Sequence, residues 1–257
     1  MLAHFLTTGV FAYLVIFCRV GSGIMMMVGT GETLLPARVR LIFALAFAAL
    51  LLPVLQPVFP PLPSSPSALA LLVIKEILIG LYLGLTTRVI IVAAHTAGTI
   101  IATQTGLASA MLLDFTQTTQ STVITNLLSL MAVVLFFLTD LHHVALRGLA
   151  ASYSVFAPGS FPALADLAQQ FSLLVTRSFN IAAHLAAPHI VIGLITYLGA
   201  GVLARLMPTM QIFFVLMAPQ ILLGIFILMV ILPSMMLWLM TQMEDGIIAA
   251  LPYAAVY

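Results

Sequence analysis

Apolar runs separated by short polar or proline-containing joints recur along the chain from Phe5 to Met240. Their lengths predict about six helices able to cross a membrane, since a spanning helix needs roughly 20 apolar residues. Residues 41–52 and 123–138 are almost unbroken apolar runs, whereas membrane strands alternate polar and apolar positions. We therefore predict an all-α membrane protein with about six apolar helical segments, several of them kinked or broken.

The joints between these segments indicate a single polytopic domain that covers residues 1–257. The segments lie roughly at residues 5–28, 38–53, 69–101, 123–138, 181–202 and 212–240. Five prolines between Gln56 and Ser67 predict an extended connector, because proline removes a backbone donor and restricts the residue before it. A turn at the membrane interface is expected after the fourth segment, marked by Asp140, His142, His143 and Arg147.

The composition supports a membrane protein and excludes several soluble classes. Of the 257 residues, 63% are apolar and 6% are charged, whereas soluble domains carry about 25% charged residues. A net charge of +1 excludes the basic surface that nucleic-acid binding requires. Cys18 is the single cysteine, and it is expected to pack as a small apolar residue. Residues 1–28 lack a basic start and a cleavage pattern, which predicts a retained first helix rather than a removed signal.

Several polar groups lie inside or beside apolar segments, where they need partners. They are Arg19, Lys75, Glu76, Arg88 and His95, and apolar runs are also interrupted by Pro188, Pro219 and Pro233. An ionisable group near the bilayer centre costs about 2.5 to 3.5 kcal/mol on insertion scales. Broken helices persist in membranes when neighbouring groups satisfy the freed carbonyls. The chain is therefore expected to pack against other subunits or to enclose an aqueous path.

Glu76, Gly80 and Gly84 recur every four residues, so they lie on one face of a helix. The two glycines form a small-xxx-small motif, which lets another helix approach closely. Two interpretations remain open. The approaching helix belongs either to this chain or to another subunit, which would also supply a partner for the Glu76 carboxylate. Lys75 points to a different face and is not expected to pair with Glu76.

Sequence patterns typical of enzymes and metal sites are missing. The chain has no His-Glu-x-x-His pair, no Gly-x-Ser-x-Gly elbow and no phosphate-binding Gly-x-x-x-x-Gly-Lys loop. Two histidine pairs, His142 with His143 and His184 with His189, could indicate a metal or proton relay. The second pair is five residues apart with a proline between its members, and neither pair has a carboxylate at ligand spacing. We therefore expect a non-enzymatic chain with no metal and no cofactor.

An unusual loop connects the third and fourth segments. It consists of Gly106, Leu107, Ala108, Ser109, Ala110, Met111, Leu112, Leu113 and Asp114. These residues are too apolar for a solvent-exposed loop, yet the threonines and glutamines on both sides are too polar for lipid. Irregular backbone at membrane depth is tolerated where it is buried in protein or lines a cavity, so the loop is predicted to be a plug or constriction. The alternative is an amphipathic helical turn at the interface.

Several short motifs follow one another along nearly the whole chain. They are Arg19 with the following Gly-rich joint, Pro36-x-x-Val39-Arg40, Lys75-Glu76-x-x-x-Gly80-x-x-x-Gly84, Gln104-x-Gly106-Leu107-x-x-Ala110, Asp140-x-His142-His143, Ser152-Tyr153 and Arg205-x-x-Pro208-x-x-Gln211. No single motif is decisive, but their order and spacing together resemble the FliR family, the export-gate subunit of flagellar type III secretion.

The resemblance implies a bacterial inner-membrane protein at the flagellar basal body, folded as kinked helical hairpins within a multi-subunit gate. It implies assembly with FliP and FliQ subunits, beside FlhB and FlhA, around a path for unfolded exported polypeptides. The plug loop of the family falls here on residues 107–114. Packing between subunits is then expected at Arg19, Glu76, Gly80, Gly84, Arg205, Pro208 and Gln211.

These observations together predict a non-enzymatic subunit of the flagellar type III protein-export gate. One alternative is the equivalent subunit of a virulence secretion system. Another is an ion-coupled transporter of a small solute that uses Glu76, since broken helices are also a transporter trait. An intramembrane hydrolase would need a nucleophile and a base that the sequence does not show. If all segments cross the membrane, the same side of it carries Arg38, Arg40, Arg88 and Arg205. Loops rich in arginine and lysine are usually cytoplasmic, so this side is predicted to be the cytoplasmic one.

Overall fold

The computed structural model describes residues 2–29, 35–56, 59–63, 65–108, 123–160, 164–207 and 212–250. Within these ranges the chain is mostly helical and contains no strand. The helices are α1 (Leu2–Met26), α2 (Ala37–Leu55), α3 (Pro66–Gln104), α4 (Val123–Leu138), α5 (Leu141–Val155), α6 (Leu164–Leu206) and α7 (Ile212–Ala250). The predicted all-α fold is confirmed.

In the part of the chain that the structure describes, five helices are long and apolar enough to cross a membrane, and a sixth span results if the bent pair of α4 and α5 counts as one. The spanning stretches are Gly9–Met26, Ala37–Leu55, Pro66–Val89, Ala165–Leu206 and Val215–Ile248. This agrees with the predicted number of about six apolar segments. Helices α6 and α7 continue through their internal prolines, Pro188, Pro219 and Pro233.

The stretch after the fourth segment differs in part from the sequence prediction. The expected turn is limited to Thr139 and Asp140, and the residues after it form helix α5, which has 15 residues. Its buried face carries Leu141, Ala145, Leu149 and Tyr153 at four-residue spacing, which places them along one side of a helix. The polar residues that suggested a turn lie at the start of this helix and on its other faces.

The chain divides into two compact units. Unit 1 comprises the described residues within Met1–Ile90, Phe137–Val175 and Glu244–Tyr257. Unit 2 comprises those within Ile91–Phe136 and Thr176–Met243. Helices α3, α4, α6 and α7 each contribute residues to both units.

The core of unit 1 is built around α1. Its buried side chains include Val15, Ile16, Val20 and Ile24, and α2 packs beside it. The Tyr13 hydroxyl donates a hydrogen bond of 3.1 Å to the backbone oxygen of Leu45, which ties these two helices together.

The core of unit 2 depends on small residues. Ala93, Ala94 and Ala97 of α3 are fully buried, and a Cβ atom on Gly98 would lie 2.6 Å from the Cα atom of Thr125 in α4. The two helices are therefore in backbone contact at this point.

The outward faces of α6 and α7 are strongly apolar, as shown by Leu194, Leu198, Leu222, Phe226 and Met229. Such faces suit lipid or the apolar surface of another protein.

Candidate functional site

A buried ion pair joins α1 to α3 in unit 1. Arg19 Nε donates to Glu76 Oε2 over 2.6 Å, and Arg19 Nη2 donates to Glu76 Oε1 over 3.0 Å. Both side chains are 0% exposed. The contact is bidentate, which is the strongest geometry available to a guanidinium and a carboxylate. The sequence marks both residues as needing partners, and the structure makes each the partner of the other.

The remaining donors of the guanidinium reach the end of α5. Arg19 Nη1 donates to the Ser152 hydroxyl over 3.2 Å, and Nη2 donates to the backbone oxygen of Phe156 over 2.9 Å. The cation also lies 4.0 Å from the centre of the Tyr153 ring, a favourable position over an aromatic face. One side chain of α1 thus holds α3 and α5 in a fixed arrangement.

The turn that follows α5 is fixed by the neighbouring residues Lys75 and Glu76. The backbone N–H of Gly159 donates to Glu76 Oε1 over 3.3 Å, and Lys75 Nζ donates to the Gly159 oxygen over 3.1 Å. Gly159 has a φ angle of +85°, a left-handed conformation that glycine adopts without steric cost. Both backbone polar groups of this turn residue are therefore satisfied by adjacent residues of α3.

The glycine stripe of α3 lies against the backbone of α1. A Cβ atom on Gly80 would overlap the Arg19 backbone oxygen and the Ser22 hydroxyl. A Cβ atom on Gly84 would lie 2.8 Å from the Met26 Cβ atom. Of the two interpretations that the sequence left open, the structure shows the contact within the chain. A role of these residues between subunits stays a prediction.

Replacing Gly80 with alanine is expected to destabilise the protein, because the new methyl group meets backbone atoms that cannot rotate away. Overpacking of this kind costs about 1 to 3 kcal/mol. Gly199→Ala is the matched control, since a Cβ atom there meets nothing within 4 Å and alanine is favoured over glycine in a helix by about 1 kcal/mol. Thermal unfolding of detergent-purified export complexes that carry each variant should show a lower midpoint for Gly80→Ala alone. Equal midpoints for the two variants would contradict the close approach.

In unit 2, the end of α3 is the root of the predicted plug loop. The backbone N–H of Thr105 donates to the Ile101 oxygen over 2.9 Å, and that of Gly106 donates to the Thr103 oxygen over 3.2 Å. Gly106 has a φ angle of +78°, which is typical of a glycine that ends a helix. The described chain continues to Ala108, and Ser109, Ala110, Met111, Leu112, Leu113 and Asp114 lie outside the described residues.

Two glycines let this root pack closely against α6 and α7. A Cβ atom on Gly193 would overlap the Gln104 side-chain oxygen, and one on Gly224 would overlap the Thr105 methyl group. The Gln220 side-chain amide donates to the Gln104 backbone oxygen over 2.8 Å, so it satisfies a carbonyl that the helix end leaves without an intrahelical partner. Gln104 and Thr105, which immediately precede the loop, are therefore held in place by two neighbouring helices.

His189 completes the surroundings of the loop root. It is 2% exposed, and its Nε2 atom lies 3.3 Å from the Gly224 oxygen. Because that oxygen is an acceptor, Nε2 is the donor in this contact. Nδ1 is buried and has no hydrogen-bond partner among the described residues. The histidine lines a small cavity together with Gln104, Thr105 and Gln220.

The position of His189 and Gln220 beside the loop root was not predicted from the sequence. The two histidines of α6 have separate surroundings, since His184 Nδ1 lies 2.7 Å from the Asn180 oxygen and its ring lies 5.9 Å from that of Trp238. One feature of the sequence could have indicated this site: His189 and Gln220 are isolated polar residues within apolar helices. Membrane helices tolerate such groups where they face protein.

The last of the predicted packing residues lie near the end of α6. Arg205 is exposed in the last turn of this helix, where a cation complements the negative end of the helix dipole. Pro208 and Gln211 lie outside the described residues.

Comparison with known proteins assigns this architecture to a family. Residues 10–246 match the family described as bacterial export proteins, family 1. The chain belongs to this family. It is 36% identical to the flagellar biosynthetic protein FliR of Caulobacter vibrioides over 89% of this chain and 92% of that protein. FliR of Bacillus subtilis is 29% identical over 79% of each chain, and FliR of Aquifex aeolicus is 28% identical over 84% of this chain and 83% of its own.

The family assignment confirms the resemblance seen in the sequence motifs. It also makes this chain a structural subunit of an export apparatus and not an enzyme. The ion pair, the glycine stripe and the loop root are accordingly sites of packing and positioning rather than of catalysis.

Proposed function

We propose that this chain is a subunit of the flagellar type III protein-export gate in the bacterial inner membrane. It forms part of the channel through which unfolded flagellar proteins cross that membrane at the basal body. Membership of the export family and the similarity to flagellar FliR proteins support this proposal. The structural observation that carries it is the fixed root of the loop, at Gln104 and Thr105.

A gate needs a movable barrier on a rigid support. The root supplies the support, because the Gln104 oxygen accepts a hydrogen bond from Gln220 and Thr105 packs on Gly224. The residues that follow Gly106 are mostly small or apolar. Contacts among such residues exclude water, yet each heavy-atom contact is worth only about 0.1 to 0.2 kcal/mol. A barrier made of them can part for a passing polypeptide without breaking strong directional bonds.

The proposed partners are FliP and FliQ subunits, with FlhB and FlhA alongside and unfolded polypeptides as cargo. The outward faces of α6 and α7 offer apolar surface for such neighbours. Met229 and Leu222, for example, are each 70% exposed. Arg205, Pro208 and Gln211 are proposed to contribute to packing between subunits at the end of α6.

The ion-coupled transporter is disfavoured by the surroundings of Glu76. A coupling carboxylate must be reached by an ion or a solute, but this carboxylate is 0% exposed and is paired with Arg19. A virulence-type export subunit is disfavoured because the similar proteins named above are flagellar.

Affinity purification in mild detergent is the test of assembly. When the chain is expressed with its gate partners, these subunits are expected to co-purify with it as a stable complex. Mass spectrometry identifies the subunits in that complex. The chain expressed alone should give a low yield of aggregating material, since its outward faces lack their partners. Recovery of a stable, monodisperse monomer, together with no co-purifying export subunit from the co-expression, would count against the gate.

A further inference from the structure

Three side chains with metal-binding groups come together at the start of α5 in unit 1. They are Asp140, His142 and His143, and one nitrogen or carboxylate oxygen from each lies within 4.8 Å of the others. The proposed gate function gives them no role. No carboxylate was expected at ligand spacing for these histidines, and the position of Asp140 contradicts that expectation.

The backbone at Asp140 explains why the carboxylate is available. Asp140 has a φ angle of +57°, a left-handed conformation that aspartate and asparagine tolerate better than most residues. It precedes the first residue of α5, yet its side chain makes no capping hydrogen bond to the helix. Its Oδ1 atom lies instead 3.4 Å from Nδ1 of His143. The two residues have the (i, i+3) spacing of neighbours on a helix, although Asp140 itself lies just before α5.

The histidines are held close together and one nitrogen has no partner. Their ring centres are 4.0 Å apart, and the His142 ring also packs at 5.2 Å from that of Phe137. His142 Nδ1 is buried and has no hydrogen-bond partner among the described residues. A buried polar atom without a partner needs an explanation, and a bound ion is one of the recognised ones.

We propose that Asp140, His142 and His143 bind a divalent transition-metal cation of the zinc type. Two imidazoles and one carboxylate are a donor set that suits zinc, copper or nickel, whereas magnesium and calcium prefer oxygen ligands alone. Zinc with bonds of about 2.0 to 2.1 Å places tetrahedral ligands roughly 3.4 Å apart. The distance between Asp140 Oδ1 and His143 Nδ1 already has that value. The His142 nitrogen lies within 4.8 Å of both ligand atoms, so a small side-chain rotation would let it bind the same ion. The exposure of Asp140 and His143 leaves the fourth position open to water.

The test measures zinc bound to the export complex that contains the full chain, purified through a tag without histidines. Competition with a chromophoric chelator gives the affinity. The double variant carries both Asp140→Asn and His143→Gln. The wild-type complex is expected to bind one more zinc ion per copy of this chain than the complex with the double variant. Each single substitution should weaken that site at least about tenfold. Asparagine keeps the tolerance for the left-handed conformation, so Asp140→Asn removes the charge while preserving the turn.

His95→Gln serves as the matched control, since His95 is an exposed histidine of α3 outside this cluster. It should bind zinc as the wild type does, and magnesium in large excess should not displace the zinc. Equal zinc binding by the wild type and the double variant would overturn the proposal. Equal loss in His95→Gln, or ready displacement by magnesium, would also overturn it by showing non-specific surface binding.

Discussion

Replacing Arg19 with methionine is expected to prevent accumulation of the folded protein in the membrane. The substitution leaves the Glu76 carboxylate buried at 0% exposure without its counter-charge, and it also removes the bonds to Ser152 and Phe156. Breaking one side of a buried ion pair costs about 3 to 5 kcal/mol. Folded proteins have a total stability of about 5 to 15 kcal/mol, so the loss is a large share of it. Immunoblots of membrane fractions and thermal unfolding of the purified complex measure the effect.

Lys75→Met is the matched control for this prediction. Lys75 is adjacent to Glu76 and is half-buried, and its Nζ atom donates a hydrogen bond to the Gly159 oxygen. Its removal should cost about 1 kcal/mol, as is typical of one hydrogen bond. The double variant Arg19→Met with Glu76→Leu should recover part of the loss, because an apolar pair can replace a buried ion pair at little cost. If Arg19→Met accumulated in the membrane and unfolded as the wild type does, the ion pair of Arg19 and Glu76 would not be what holds α1 to α3.

The sequence predicted the helices well, because apolar stretches of spanning length leave few other structures available in a membrane. Helix α5 was missed because its polar residues outweighed a four-residue apolar repeat. That repeat, Leu141, Ala145, Leu149 and Tyr153, was present in the sequence. A test for helical periodicity applied to this short stretch would have found it.

The ion pair shows what sequence reasoning could and could not supply. An arginine and a glutamate in apolar segments had to have partners, and that requirement was correctly recognised. Arg19 and Glu76 are 57 residues apart in the chain, and no local rule specifies which helices lie side by side. The Gly80 and Gly84 stripe likewise indicated a close approach but not that the approaching helix was α1.

The loop root needed tertiary information for the same reason. Gln104 and Gln220 are 116 residues apart, so their hydrogen bond cannot be inferred from spacing. The sequence alone does not distinguish Gly193 and Gly224 from other glycines of apolar helices. The structure shows that they leave room for the side chains of Gln104 and Thr105.

Shortening the plug loop is expected to make assembled gates leak ions while some protein export persists. Deleting residues 108–112 removes the apolar contacts proposed to close the channel, whereas Gln104 and Thr105 keep their anchors on α6 and α7. An open path must admit an unfolded chain, or a helix roughly 10 to 12 Å across with its side chains. A path of that width passes hydrated ions freely, so the effect on permeability should be large.

Substitution of Met111 provides a graded version of the same test. Met111→Asp introduces a hydrated charge into the proposed seal and should raise ion leakage, whereas Met111→Leu keeps the apolar character and should not. Gly224→Val provides an independent approach, since its side chain would displace Thr105 and so disturb the loop root. It should increase leakage without touching the loop, with Gly201→Ala as its control, because a Cβ atom at Gly201 meets nothing within 4 Å.

The most direct measurement is the ion conductance of purified, fully assembled complexes in a planar lipid bilayer, with subunit content verified on the same preparation. Wild-type and Met111→Leu complexes should stay closed at rest. Complexes that lack residues 108–112, or that carry Met111→Asp, should conduct. An assembled, loop-deleted complex as tight as the wild type would contradict the account of this chain as a channel-forming subunit closed by its own loop.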